Sequence, residues 1–471
     1  MNFISWAFVI LFCIVFMFRL TLGRRKVEPA FTWILVISST IFCAWHVPHY
    51  ILIIATSIAI DYGVSLAMDR HPLVSRTRNW LLALSVATNL GLLAFFKYAD
   101  FFLENISSFA NFLGFHGSPL QLGLELPMGI SFYTFCSMSY TIDVYRGKLR
   151  PVRSFKDLYL FLTFFPHLVA GPIVRAEQFL YQMNRTRLLS WRVFTQAGYL
   201  LIRGCFLKMV CADNLAAFVG DNWDQAYQKQ GNGALAWICV LAYSFQILCD
   251  FEGYSNIAQG LAYLLGYRLP LNFNFPYLAS SFKNFWERWH ISLSQWLRDY
   301  LYVPLGGNRG STFRTYLNLL TVMVLGGLWH GAAMTFLAWG LLHGLALTIE
   351  RMLGFNHDKN RSNWSTRFLW YAIVQLTVLV TWVFFRSYSL KGSFQVLKNL
   401  VAGSFDEVPN STWAALVFVL APLGMHVYRA ILERGWIKPM GKISKAILAG
   451  LMLYAIFTCY GESNEFIYFK F

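Results

Sequence analysis

His330 is the residue in this sequence best suited to moving a proton. It stands in TVMVLGGLWHGAAMTFLAWGLLHG, an ionisable ring amid apolar residues. A polar group at membrane depth is costly and marks a site or a specific partner. Imidazole titrates near pH 6.5, at about 6.5 in model peptides, so it can accept and return a proton. Gly326, Gly327 and Gly331 leave room for a substrate to reach the ring. The same glycines allow a plainer reading. Gly327/Gly331 and Gly340/Gly344 are small-xxx-small pairs that draw helices together, and the ring then only bonds a neighbour. His343, on the second arm, and His167, in FFPHLVAGPIVR, are open to the same two readings. Asp250, Glu252 and Asn256 in CDFEGYSNIAQG can orient a histidine or bind a cation, or simply mark a membrane boundary. Tyr133, Tyr140, Asp143, Tyr145 and Arg146 also crowd a span end, where the structural reading is the default. The ring of Trp329 adjoins His330.

These residues need elements to hold them, and composition says which. Of 471 residues, 57% are hydrophobic and 13% charged, and mean hydropathy is +0.47. Soluble domains carry about 25% charged residues. A soluble enzyme, a disordered chain and a fibrous one are therefore excluded. Recurrent apolar runs predict an all-α polytopic membrane protein. The +16 charge lies in short basic loops between runs, as the positive-inside rule requires, so no nucleic-acid partner is expected. The eight cysteines form no CxxC pair, and neither a disulfide framework nor a metal site is expected.

About 11–13 spanning or re-entrant helices are expected, with the N- and C-termini outside the cytoplasm. Spans are predicted near 31–46, 49–67, 79–97, 126–142, 193–218, 233–250, 316–329, 333–349, 368–386, 412–430 and 446–460. The first span, from Asn2 to Met17, precedes Arg19, Arg24, Arg25 and Lys26, the reverse of a secretory signal. Residues 99–125 should lie outside. Segment 158–174, interrupted by Pro166, His167, Gly171 and Pro172, is re-entrant or a strained span, with Arg175, Arg185, Arg187 and Arg192 after it. The stretch 251–267 reads as short and polar-spotted. Lys359, Arg361 and Arg367 mark one late cytoplasmic loop. His46, His49 and His426 read as interfacial or packing residues, and His71, His116 and His357 as loop residues. No internal repeat is visible. The longest stretch without a span, near 267–315, is too short for a soluble catalytic domain, so any chemistry belongs to the membrane domain.

Within that stretch, residues 281–303 read SFKNFWERWHISLSQWLRDYLYV. Apolar positions recur at helical period, so one amphipathic helix in the membrane interface is expected. His290 falls at its apolar margin, bonded to a carbonyl or available for chemistry. Asn308 and Arg309 lie in the glycine-rich GGNRG, where phosphate binding is one reading, and Arg288, Arg298 and Arg309 also satisfy the positive-inside rule. Soluble-enzyme signatures such as Walker A, HExxH and GxSxG are absent.

Taken in order, LPMGISFYTFCSMSYTIDVYRG (126–147), FFPHLVAGPIVR (164–175), CDFEGYSNIAQGLAYLLGYRLPLNFNFPY (249–277), FWERWHISLSQWLRDYLYVPLGGNRGS (285–311), LGGLWHGAAMTFLAWGLLHG (325–344) and FIYFKF (466–471) resemble the membrane-bound O-acyltransferase family. Within it they are similar to integral-membrane subunits of the alginate O-acetyltransferase type. The Trp-His pair repeated forty positions apart, with RDYLYVPLGGNRG between, carries most of the likeness. The resemblance implies one membrane domain over 1–471, with N-terminal helices at 1–125, a motif-bearing core at 126–350 and C-terminal helices at 351–471. It implies a ring of helices around a central tunnel, with His330 at its crossing point and His290 assisting. It further implies acyl transfer from a cytoplasmic thioester, acetyl-CoA or a carrier-bound acyl group, to a hydroxyl beyond the membrane. Exported acetyltransferase subunits, membrane lipid and an exported polysaccharide are the implied partners, with no permanently bound cofactor, in a bacterial inner membrane. Cellulose or peptidoglycan O-acetylation and teichoic acid D-alanylation use the same chemistry. Glu252 departs from the small residue usual at its position. A proton-coupled transporter using His330 and His290 as a relay, and a scaffold for an exported acetyltransferase, are the readings from other classes.

Overall fold

A computed structural model describes residues 3–22, 29–115, 121–168, 171–183, 189–228, 231–355, 363–404, 407–462 and 466. His116, His357, Arg24, Arg25, Lys26, Arg185, Arg187, Lys359, Arg361 and most of FIYFKF lie outside the described residues.

The described chain is helical: α1 (Trp6–Leu22), α2 (Pro29–Ala44), α3 (Tyr50–Asp69), α4 (Arg76–Phe112), α5 (Ile130–Tyr145), α6 (Phe155–Thr163), α7 (Phe165–Leu168), α8 (Ala176–Met183) and α9 (Trp191–Cys205). A π-helix, Phe206–Ala212, joins α9 to α10 (Asp213–Ala226), and α11 (Gly233–Leu265) follows. Then come α12 (Phe282–Arg288), α13 (Ile291–Leu297), a second π-helix (Arg298–Tyr302), α14 (Thr312–His330) and α15 (Met334–Met352). The series ends with α16 (Trp364–Arg386), α17 (Leu390–Ala402), α18 (Ser411–Glu433) and α19 (Lys442–Thr458). Among the described residues, α3, α4, α11, α16 and α18 are long and apolar enough to cross a membrane, and α1 and α2 are shorter apolar helices. Helices are how such a chain satisfies its backbone polar groups in lipid.

The chain divides into two compact units: Met1–Gly198 with Ala258–Pro270, and Tyr199–Ile257 with Leu271–Phe471. The first is tied by buried polar groups that the apolar pattern does not announce. Asp61 on α3 accepts from Ser85 Oγ at 2.5 Å and Asn89 Nδ2 at 2.8 Å, both on α4, and from Ser137 on α5. The Arg78 guanidinium reaches Met68 O at 2.6 Å and Val144 O and Tyr145 O at 2.7 Å, clamping the ends of α3 and α5. Each buried charge is thus met by donors or carbonyls, the condition for keeping it buried. The expected interruption in 158–174 is present: α6 stops at Thr163 and α7 is a single turn.

The second unit departs from the sequence reading in two places. Residues 233–250 and 251–267 are one continuous helix, α11, so Asp250, Glu252 and Asn256 are buried within it rather than marking its end. Glu252 meets Arg203 Nη2 at 2.5 Å, which gives the unusual acid a partner. The single helix expected over 281–303 is broken at Trp289-His290 into α12, α13 and a π turn. The α14–α15 hairpin turns after His330, as expected from Trp329-His330-Gly331.

Candidate active site

The hairpin is built for close approach. A Cβ on Gly327 would lie 2.3 Å from Phe336 O, and one on Gly340 would lie 2.4 Å from Met323 O. Gly344 likewise sits against Leu320 Cα. These glycines bring α14 against α15 and do not open space around His330, so the packing reading holds for them. Gly326 and Gly327 lie inside α14, where amide protons are committed to carbonyls four residues back. They are therefore not available to stabilise an oxyanion. At 19 residues, α14 carries His330 about 28 Å from the helix start at 1.5 Å per residue.

His330 is buried among aromatic rings, with Trp329 at 4.9 Å, Trp339 at 5.2 Å and Phe385 at 5.3 Å between centroids. The His290 ring lies 6.3 Å away. Two histidines forty positions apart thus come together in one buried aromatic cluster with Trp329, 6.0 Å from His290.

His290 reaches that cluster because the chain breaks beneath it. It adopts φ 40°, ψ 54°, the left-handed region that costs a non-glycine residue free energy. Two backbone bonds hold the break: Asn274 N–H to Arg288 O and Ile291 N–H to Asn272 O, both 2.9 Å. Upstream, Glu350 on α15 caps α12. Its carboxylate accepts from the amides of Phe282 at 2.6 Å and Lys283 at 3.0 Å, and from Trp370 Nε1 at 3.3 Å. An anion at a helix N-terminus satisfies free amides and favours the dipole.

The same break fixes the imidazole tautomer. Asn272 Oδ1 accepts from Ser292 Oγ at 2.8 Å and Ser292 N at 3.3 Å, which identifies it as oxygen. His290 Nδ1, 3.2 Å from that oxygen, therefore carries the proton, and Nε2 is left as the basic nitrogen. Nε2 is buried with no partner among the described residues. Burial without a countercharge holds this imidazole far below the usual histidine range, at about 3. A ring held this way accepts at Nε2 and has no second N–H to donate. The Trp339 Nε1–H nearby is likewise buried and has no partner among the described residues.

His343 is one step further along the aromatic chain, 4.8 Å from Trp339, and its Nε2 is 3.0 Å from Thr381 Oγ1. His167 is buried in the first unit among Phe161, Phe164 and Phe179. Arg298 is exposed and pairs with Asp299 at 2.7 Å. Asn308 is exposed on its glycine loop, which Asn318 Nδ2 ties down through Gly307 O at 3.0 Å. His426 packs, donating from Nδ1 to Pro422 O at 2.8 Å.

Asp250 belongs to a cluster the sequence reading passed over. Lys208, in the first π-helix, lies 2.7 Å from Asp213 Oδ1 and 2.8 Å from Asp250 Oδ1, all three buried. A lysine inside CFLKMVCAD, five residues before an aspartate, was the available signal. The cluster lines a cavity of about 520 Å³ that also touches Gly331, Ala332 and Ala333, the residues directly after His330. Among the described residues no group of three His, Cys, Asp or Glu side chains forms a metal site.

Known proteins resemble this chain over most of its length. A family model described as membrane-bound O-acyltransferase matches residues 31–390. A probable alginate O-acetylase of Pseudomonas aeruginosa is 40% identical over 401 residues, 85% of this chain and 75% of that protein. A peptidoglycan O-acetyltransferase of Helicobacter pylori is 36% identical over 396 residues, 78% of this chain and 73% of the relative. A teichoic acid D-alanyltransferase of Streptococcus thermophilus is 32% identical over 238 residues, 47% of this chain and 56% of the relative.

Proposed function

The chain belongs to the membrane-bound O-acyltransferase family and is a membrane O-acyltransferase, and from that premise we propose that it moves an acetyl group from acetyl-CoA on the cytoplasmic side to a hydroxyl beyond the bacterial inner membrane. The end acceptor in this reading is an exported polysaccharide of the alginate type, reached with exported acetyltransferase subunits. The names of the relatives support it. In this reading the basic loops face the cytoplasm, both termini lie on the far side, and Arg298, Arg309 and Asn308 meet the donor's phosphates.

One observation carries the mechanism: two buried histidines meet at the hairpin tip, beside a polar cavity. His330 removes the acceptor hydroxyl proton as the oxygen attacks the thioester carbonyl carbon. The C–S bond breaks, and the imidazolium returns that proton to the departing sulfur. Ester and free thiol result, with no net proton change. General-base catalysis supplies about 10²–10⁴-fold, and alignment and oxyanion stabilisation supply the remainder. The Trp339 indole N–H is the donor for the oxyanion. His290, oriented by Asn272, offers a second basic nitrogen beside the first.

His330→Ala, with expression matched to wild type, should abolish transfer of radiolabelled acetyl from acetyl-CoA in membranes. Normal transfer by that variant would sink the assignment.

A further inference from the structure

A second cavity, of about 480 Å³, is lined chiefly by α9, α18 and α19 and shares no lining residue with the one beside the hairpin tip. Its volume falls within the roughly 300–1,000 Å³ typical of ligand sites. Most of its wall is apolar: Ala421 and Met425 on α18, and Leu448, Leu451 and Met452 on α19. Gly424 lines it too, and a Cβ there would meet no atom within 4 Å. Close-packed interiors leave little such space. Leu451 is 61% exposed, so the cavity borders the outer, lipid-suited face of α19. Polar groups gather at one end, where α18 finishes and α19 begins. Lys445, in the first turn of α19, lines the cavity without an ion-pair partner among the described residues. Tyr428 Oη accepts from Met440 N–H at 3.0 Å, which leaves its own O–H to donate. Arg203 gives one edge to Glu252 at 2.5 Å, yet a guanidinium carries five N–H donors. The connecting loop adds Arg434, Lys438 and Lys442. The cavity is therefore apolar along the helices and cationic at their ends.

We infer that this cavity binds one anionic phospholipid from the surrounding bilayer. An acyl chain lies along the apolar wall beside Gly424. The phosphate sits at the cationic end and takes Lys445 Nζ, the Tyr428 O–H and a remaining N–H of Arg203. Basic pockets between membrane helices hold anionic head groups in this way. The acid at 252 acquires a use in this arrangement, because it fixes Arg203 at the cavity wall. The inference does not rest on the acyl-transfer reading.

Native mass spectrometry of the purified full-length protein tests this with three probes: dioleoyl phosphatidylglycerol, dioleoyl phosphatidylcholine and glycerol 1-phosphate. Wild type should retain one phosphatidylglycerol, bound about ten-fold more tightly than phosphatidylcholine, and should bind glycerol phosphate far more weakly than either lipid. K445Q should cut the preference for phosphatidylglycerol about five-fold, the worth of one basic residue at an anionic head group. G424L fills the apolar space from a helical position that suits leucine. It should weaken both lipids while its melting temperature stays at or above that of wild type. Equal binding of the two lipids by wild type would overturn the inference whatever the variants do. So would glycerol phosphate bound as tightly as the lipid, which would make this a site for a soluble anion. A G424L protein that binds phosphatidylglycerol as wild type does would place the lipid elsewhere and overturn it as well.

Discussion

Asn272 decides what kind of base His290 is. Its carbonyl oxygen accepts from Ser292 and from His290 Nδ1, which leaves Nε2 free. Because burial lowers the imidazole pKa to about 3, the ring is neutral at every pH above that value. It should therefore set no acidic limb of the rate profile between about pH 5 and 8, the range where an unperturbed histidine would titrate. Asn272→Asp places a carboxylate beside Nδ1 and stabilises the imidazolium, so the pKa rises. Transfer by that variant should fall as pH drops, with a limb closer to neutrality than in wild type. A pH–rate profile checks this, and unchanged limbs would separate His290 from the reaction. Trp339→Phe keeps a ring in the stack and removes only the indole donor. Loss of one oxyanion donor costs about 10²–10³ in kcat, so kcat should drop with KM little changed, as steady-state assays would read.

At the scale of elements, the meeting of His290 with His330 depends on a cap. Glu350 on α15 receives the first amides of α12, linking the hairpin to the segment that delivers His290. Losing a helix cap costs about 0.5–2 kcal/mol. Glu350→Ala should therefore lower the melting temperature in detergent, and Glu350→Gln, which retains an acceptor, should lower it less. The His330 hairpin was legible in the sequence because an ionisable ring beside glycines in an apolar run has few explanations. His290 was located, but its backbone was not. The apolar period of 281–303 continues through Trp289-His290, and the left-handed residue is not a glycine, so no local signal marked the break. Asp250 was misread for a related reason: polar residues in CDFEGYSN look like a membrane boundary, and only the Lys208 countercharge reveals why they are buried mid-helix. Lys208 and Arg386 were absorbed into apolar runs, and Asp61 into a span.

For the whole molecule, the exposed surface repeats what composition announced. Trp6 is 82% exposed and Trp80 77%, a surface suited to lipid rather than water. The basic loops should then set orientation. A reporter fused after Gly435, within the loop that contains Arg434 and Lys438, should behave as cytoplasmic: fluorescent as a fluorescent-protein fusion and inactive as a phosphatase fusion. A fusion near Glu125 should give the opposite result. Reversal of both would invert the donor and acceptor sides.

The glycine seam between α14 and α15 has a consequence for descent. With Gly327 and Gly340 against backbone atoms, even a methyl group forces the two helices apart, so the tip that carries His330 has almost no freedom to drift. The cavity beside that tip is lined by the Lys208 turn, by Gln246 on α11 and by Arg386 at the end of α16. A diverging lineage should therefore vary around Gln246 and Arg386 long before it varies at Gly327 or Gly340.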